Sequence, residues 1–339
     1  MNYQIKKKKH NLAYNKIFFY NIFISILLLF IIELLSGSLI FKSIPCYYLE
    51  CNREIKTEIN KDDIYFSLNY KLDEYGFRGR SKNLTDIDIL FVGGSTTREM
   101  FLNDEETYVE LIEKYFKQNN KNLDFINAGK DGQSTYGHIW NFRNWFNKIN
   151  KLKTKYIIYY IGLNEIILAD EKHLQNSLSR FIKSNNGYVS RLFNYFYNKF
   201  FFKKEFVYNF TKKKFTKNVK KITFDENIKN NFLKKLKTLS QLTIENGAIP
   251  IFINQKSKRW YIKDNIVFNI EEGQTNWYMQ EKFYATLIMN FCKKNNFFCI
   301  DLYNELELNE NDFFDYIHTN AKGSKKIAKF IYSKLNHLF

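Results

Sequence analysis

Five short apolar runs alternate with stretches of helical spacing, and that alternation limits the possible folds more than any other feature. Ile87–Val92, Leu123–Ile126, Tyr156–Ile161, Ile249–Ile253 and Phe297–Leu302 read as strands. Tyr156–Ile161 is apolar throughout, as expected of a strand covered on both faces. Between and after them, 105–116, 136–146, 228–246, 276–294 and 321–338 have the 3.6-residue period of amphipathic helices. In the last, Ile327, Phe330, Ile331 and Leu335 form one stripe. Strands joined by helices predict an α/β fold with a parallel sheet between helical layers and right-handed connections. With 339 residues, 45% of them hydrophobic, the chain can bury a sizeable core. Wholesale disorder is excluded, and 2 Pro and 13 Gly exclude collagen-like or Pro-rich architectures.

In such a sheet, ligands bind at the carboxyl ends of the strands. Gly93-Gly94-Ser95-Thr96-Thr97 follows the first strand, a loop containing Gly132 the second, and Gly162-Leu163-Asn164-Glu165 the third. Asp315 and His318 come well after the fifth. Their chemistry is complementary. Ser95 at a strand-to-helix turn offers a hydroxyl, which is a poor nucleophile until a base takes its proton. His318 is the candidate base, and Asp315, three residues earlier, can hold its other ring nitrogen. The Ser95 and Gly132 N–H groups and the Asn164 amide are candidate oxyanion donors. Arg98, His138 and Gln255 are candidate substrate contacts. The plainer alternatives are a surface arginine, a histidine facing solvent and an ordinary loop amide.

The order Ser95, Gly132, Asn164, then Asp315-x-x-His318 resembles the four blocks of the SGNH (GDSL-type) hydrolase superfamily over about residues 86–339, apart from an insertion. The resemblance implies a flavodoxin-like three-layer α/β/α fold and ester hydrolysis or acyl transfer without metal or other cofactor. Two positions depart from the pattern: Gly94 stands where the family has Asp, and Glu165 where Asp is usual. Both versions are similar to membrane-anchored bacterial members, often associated with modifying cell-surface polysaccharides. The expected substrate is therefore an acylated carbohydrate or another ester. A non-catalytic protein that binds surface polymer or lipid on the same fold is the rival reading.

The N-terminus bears on compartment. Lys6–Lys9 and Lys16 precede an apolar run from Ile17 to Phe41. As a helix this run would be about 37 Å long, against a hydrocarbon core of ~30 Å. The basic flank places the N-terminus in the cytoplasm and the rest outside, on the periplasmic side. A cleaved signal peptide is the rival, with Ser36-Gly37-Ser38 as the cleavage site. The expected organisation is a stub and anchor over 1–42, a connector of little periodicity over 43–85, and the hydrolase-like domain over 86–339. The connector contains a turn at Tyr75–Gly79.

An insertion at about 170–225 is rich in Lys and aromatic residues. It reads as a helical cap over the site or as a surface resting on anionic lipid. The four cysteines fall in two close pairs, Cys46/Cys51 and Cys292/Cys299, as disulfides or as free thiols. Lys and Arg number 52 against 35 Asp and Glu, a formal +17. We read this excess as compositional drift, because no nucleic-acid-binding module accompanies it. The sequence leaves the oligomeric state open.

Overall fold

The computed structural model describes residues 2–36, 44, 46–61, 64–79, 81–168, 187–189, 192, 196, 206–209, 214–217, 224–270 and 276–339. They fall into two compact units. The smaller comprises Met1–Tyr48 and Leu174–Lys204, and the larger Leu49–His173 and Glu205–Phe339.

In the larger unit, the strands β3 (Ile87–Gly93), β4 (Phe125–Gly129), β5 (Thr154–Ile161), β8 (Ile249–Asn254) and β11 (Cys299–Ile300) form one sheet in the order β11-β8-β5-β3-β4. Every pairing is parallel. Counted among themselves the strands run 2-1-3-4-5, the flavodoxin-like order, whose topological switch lies between β3 and β5. All seven residues of β3 are buried, because helices cover both faces. Alternation of side chains decides which layer each residue serves. Ile89, Phe91, Ile158, Ile251 and Ile253 pack with Ile112 and Phe116 of helix Tyr108–Gln118 and with Ile327 and Ile331 of helix Ala321–Leu335. On the opposite face, Phe252 stacks on Tyr159 and meets Phe291 of helix Trp277–Asn295 edge to face. There Tyr159 also shares a hydrogen bond with Thr243 of helix Glu226–Glu245. Each fully buried large apolar side chain contributes roughly 1.5–3 kcal/mol.

The connector is not structureless. Strands β1 (Arg53–Lys61) and β2 (Ile64–Leu72) pair antiparallel, with Leu68, Tyr70 and Leu72 buried and Ser67, Asn69 and Lys71 exposed. Isolated bridges from Leu72 to Arg78 and from Arg78 to Asn127 join this hairpin to the β4 edge. The insertion also departs from an all-helical expectation. Strand β6 (Phe206–Asn209) runs parallel to β1, and β7 (Phe215–Thr216) pairs with β10 (Ile266–Ile270), which pairs with β9 (Trp260–Lys263). The rest of the insertion lies mostly outside the described residues. A disulfide joins Cys292 at the end of helix Trp277–Asn295 to Cys299 in β11, with Cα atoms 6.2 Å apart. Cys46 and Cys51 are disulfide-bonded as well.

In the smaller unit, helix Asn2–Ser36 contains a span, Lys16–Ser36, long and apolar enough to cross a membrane. Its large apolar side chains from Ile17 to Leu35, apart from the half-buried Leu34, are exposed. Near its C-terminal end, the Glu33 carboxylate accepts the Gly187 N–H at 2.9 Å and the Ser36 hydroxyl accepts the Tyr188 N–H at 2.8 Å. A carboxylate within the apolar run thus takes a backbone donor from the insertion.

Candidate active site

The turn after β3 places Ser95 first in a four-residue helix, Ser95–Arg98, with Gly94 as N-cap. Thr97 anchors this helix from beneath. Its hydroxyl accepts the Tyr108 hydroxyl at 3.0 Å, and its carbonyl accepts the Asn127 amide at 2.9 Å. A short hairpin before helix Ala321–Leu335, closed by a bridge between Phe313 and Thr319, carries His318. The Phe101 ring meets the imidazole edge to face, centroids 5.2 Å apart.

The geometry joins the three side chains in series. His318 Nε2 lies 2.8 Å from Ser95 Oγ, and His318 Nδ1 lies 2.7 Å from Asp315 Oδ2. The other Asp315 oxygen accepts the backbone N–H groups of Ile317 and His318, both at 2.6 Å. Burial pushes the Asp315 carboxyl up, but its hydrogen bond with His318 and the imidazole's charge outweigh burial and hold it below the ordinary carboxylate range. An ionised Asp315 accepts the Nδ1 proton, which leaves Nε2 as the acceptor for the Ser95 hydroxyl.

The loops after β4 and β5 complete one wall. Gly132 takes φ +64°, a left-handed conformation that a residue with Cβ rarely adopts. One N–H of the Asn164 amide donates to the Gln133 carbonyl at 2.7 Å, which fixes the amide against the Gly132 loop. A Cβ on Gly94 would lie 2.5 Å from Asn164 Nδ2. The aspartate of the SGNH pattern has no room here while Asn164 keeps this position. The glutamate at 165 has a local reason too. Its buried carboxylate accepts the N–H of Thr135, the first residue of helix Thr135–Asn144, and lies 3.5 Å from Lys235 Nζ. Ser134 gives that helix no side-chain cap, so a carboxylate reaching in from the neighbouring loop caps it.

The three candidate substrate contacts are all buried. Arg98 is neither at the surface nor open to substrate. It is 2% exposed, with its guanidinium 2.8 Å from Glu50 and 3.2 Å from Asp131. Gln255 is buried and spans two loops of the site, donating to Thr96 Oγ1 at 2.7 Å and accepting the Leu163 N–H at 3.0 Å. With both ends engaged, it fixes the nucleophile turn to the Asn164 loop. His138 is buried, not solvent-facing. It lies behind Gly94 and Asn164, and burial alone pushes its pKa down to about 3, so it stays neutral.

No motif or periodicity singles out Glu50, Arg78 or Glu99, yet all three brace the site. Glu50 Oε2 also lies 3.3 Å from Lys130 Nζ, so one carboxylate holds a side chain from each of the Ser95 and Gly132 loops. Burial would raise its pKa, but Lys130 and Arg98 outweigh burial and bring it down to about 2. Arg78 donates to the carbonyls of Arg98, Glu99 and Leu102, which closes the end of the nucleophile helix. A period-based reading finds neither, because each is a single charged residue in a stretch with no functional motif.

Glu99 takes φ +51° and is fully enclosed, accepting the Tyr108 N–H at 2.7 Å and the Thr319 hydroxyl at 3.2 Å. Burial outweighs these bonds and pushes its carboxyl up to about 7 from 4.5. The folded state therefore keeps a proton that the unfolded chain releases, and stability falls as pH rises from about 4.5 to about 7. Glu99→Gln keeps an acceptor and removes the titration. In melts at pH 4.5 and pH 8, the variant should match the native chain at the lower pH and exceed it at the higher. A native advantage at pH 8 would contradict this assignment.

No family model matches the sequence, and no curated protein matches it. Solved structures similar to it include a member of the lipolytic protein G-D-S-L family from Veillonella parvula. It has 16% identity, covers 75% of this chain and 98% of its own, and has a TM-score of 0.43. An acetyl xylan esterase has 14% identity over 73% of this chain and 98% of its own, at TM-score 0.44. The psychrotrophic esterase EstA from Pseudoalteromonas sp. has 13% identity over 75% and 98%, at 0.41. At identities this low, the chemistry of this chain rests on its own geometry.

Proposed function

We propose that the chain is a membrane-anchored serine esterase or acyltransferase that acts outside the cytoplasm on an O-acylated glycan. The unbroken series from Asp315 through His318 to Ser95 carries this reading. Ser95 Oγ attacks the acyl carbonyl while His318 Nε2 takes its proton. Asp315 holds the imidazole in the required tautomer and stabilises the imidazolium. The carbonyl oxygen becomes an oxyanion, for which the Ser95 N–H, the Gly132 N–H and the Asn164 amide are the donors. As the tetrahedral intermediate collapses, the carrier's oxygen leaves with the proton from His318, and the acyl group remains on Ser95. A second hydroxyl group then gives its proton to His318 and attacks the acyl-Ser95 ester, and Ser95 Oγ leaves with that proton as the acyl group passes to the new oxygen. Water in this role gives hydrolysis, and a sugar hydroxyl gives transfer.

The apolar span Lys16–Ser36 supports anchorage. The lysines before it support a cytoplasmic N-terminus, and the oxidised cysteines support an oxidising compartment. A serine-directed fluorophosphonate should label the full-length protein in detergent at Ser95, and Ser95→Ala should abolish the label. No labelling of the native chain, or equal labelling of both, would contradict the mechanism.

A further inference from the structure

The small sheet β7-β10-β9 borders the catalytic loop and has one face of unusual composition. Tyr261 and Phe268 are cross-strand partners and stack at 4.9 Å with planes 7° apart. Phe215 meets Tyr261 edge to face at 5.0 Å. Alternation places Lys263 on the same face as Tyr261, and Lys217 on the same face as Phe215. The Lys217 ammonium lies 5.4 Å from the Phe268 ring centre, and the Lys258 ammonium 5.8 Å from that of Tyr261. All three rings are partly exposed, and Lys217 and Lys263 are exposed. Residues 214–217 and 258–270 bring four basic side chains to the surface, Lys214, Lys217, Lys258 and Lys263, against one acid, Asp264, while Arg259 is buried over the Trp277 ring.

This face leads directly to the site. The Phe215 ring packs against Tyr316 at 5.9 Å, and the Lys258 N–H donates to the Tyr316 carbonyl at 2.8 Å. Tyr316 lies between Asp315 and His318 in the chain. A long ligand lying on the rings and ammoniums would therefore bring one of its substituents to Ser95.

We propose that this face is the subsite for the carrier of the acyl group, and that the carrier is an anionic polysaccharide. This rests on the hydrolase reading and adds the charge class of its substrate. An aromatic face, negative at its centre, attracts the polarised C–H face of a sugar ring. The ammoniums pair with carboxylate or phosphate groups spaced along the polymer, and the lone acid of the patch offers little repulsion. A neutral glycan would use the rings and leave the lysines without purpose.

The test uses the full-length protein in detergent and three immobilised polymers: polygalacturonate for carboxylate, phosphomannan for phosphate and dextran as the neutral case. The native chain should bind at least one polyanion, and which one identifies the anionic group, while dextran binds weakly. Replacing Lys217, Lys258 and Lys263 together by Gln should weaken polyanion binding about tenfold, the combined effect of three exposed ion pairs. The same replacement at Lys114, Lys322 and Lys329, which are exposed on other helices, removes equal charge and should change binding less than about twofold. Turnover of a small aryl acetate, which lacks a carrier, should be the same in all three proteins. Equal losses in the two triple variants, no loss in either, or dextran binding as tight as polyanion binding would overturn the proposal. Absent turnover in the native chain, with lysine-dependent polyanion binding intact, would remove the hydrolase reading and leave the subsite standing.

Discussion

Ser95→Ala is expected to lower kcat for an aryl acetate by at least about 10^4-fold, and the melting temperature should stay within a degree or two. In the proposed mechanism the hydroxyl is the group that forms the bond, and enzymes built on a Ser-His-Asp unit lose on the order of 10^6 when the nucleophile is removed. Residual activity should come from the oxyanion donors alone. The fold should not notice the change, because Ser95 is only partly buried and its hydroxyl is held by His318 alone among the described contacts. Asp315→Asn belongs to the same experiment. Its amide would donate to Nδ1 and push the imidazole proton onto Nε2, where it blocks acceptance from Ser95. A loss of about 10^4-fold is the expected scale. Native-like rates in either variant would mean that the short distances among these groups serve structure alone.

Arg98→Ala should have its largest effect on stability. Arg98 ends the short helix that begins at Ser95, with its charge between Glu50 and Asp131. Removing the buried guanidinium leaves Asp131 without it and Glu50 with Lys130 and Arg53 alone, at a cost of ~3 kcal/mol. For a unit of this size, that lowers the melting temperature by on the order of 10 °C. A substrate-binding arginine behaves differently: KM rises while the melting temperature holds. Calorimetry together with aryl-ester kinetics separates the two, and an unchanged melt would refute the buried-pair assignment. The Glu50 side of the cluster also sets a pH limit. Its folded pKa of about 2 lies below its ordinary 4.5, so its stabilisation is complete above about pH 4.5 and is lost as pH falls toward 2.

The sheet was legible in the sequence because its strands are buried on both faces and its helices have one apolar stripe, and both patterns survive in a single chain. Ser95, Asp315 and His318 were legible from their places after the strands, and their side chains meet in the structure. The β1–β2 hairpin has a weaker signal: Phe66, Leu68, Tyr70 and Leu72 alternate with polar residues. Interspersed Lys, Asn and Glu hide that period when apolar runs are the criterion. The support beneath the nucleophile was not legible, because Glu50, Arg78 and Glu99 act through pairings with residues distant in the chain or through burial alone. Single charged side chains have no period, and only the fold decides which of them meet. Gln255 and His138 lie near the carboxyl edge and are buried all the same.

The backbone passes between the two compact units three times, near residues 48, 173 and 204. An enzyme hung from its anchor by one linker is released by one proteolytic cut. Here a cut near residue 48 leaves two backbone links between the part bearing Ser95 and the segment whose Gly187 N–H is tied to Glu33. If the chain is anchored as proposed, a single cut near residue 48 therefore leaves the larger unit covalently joined to that segment, and residence at the anchor follows from the chain's threading.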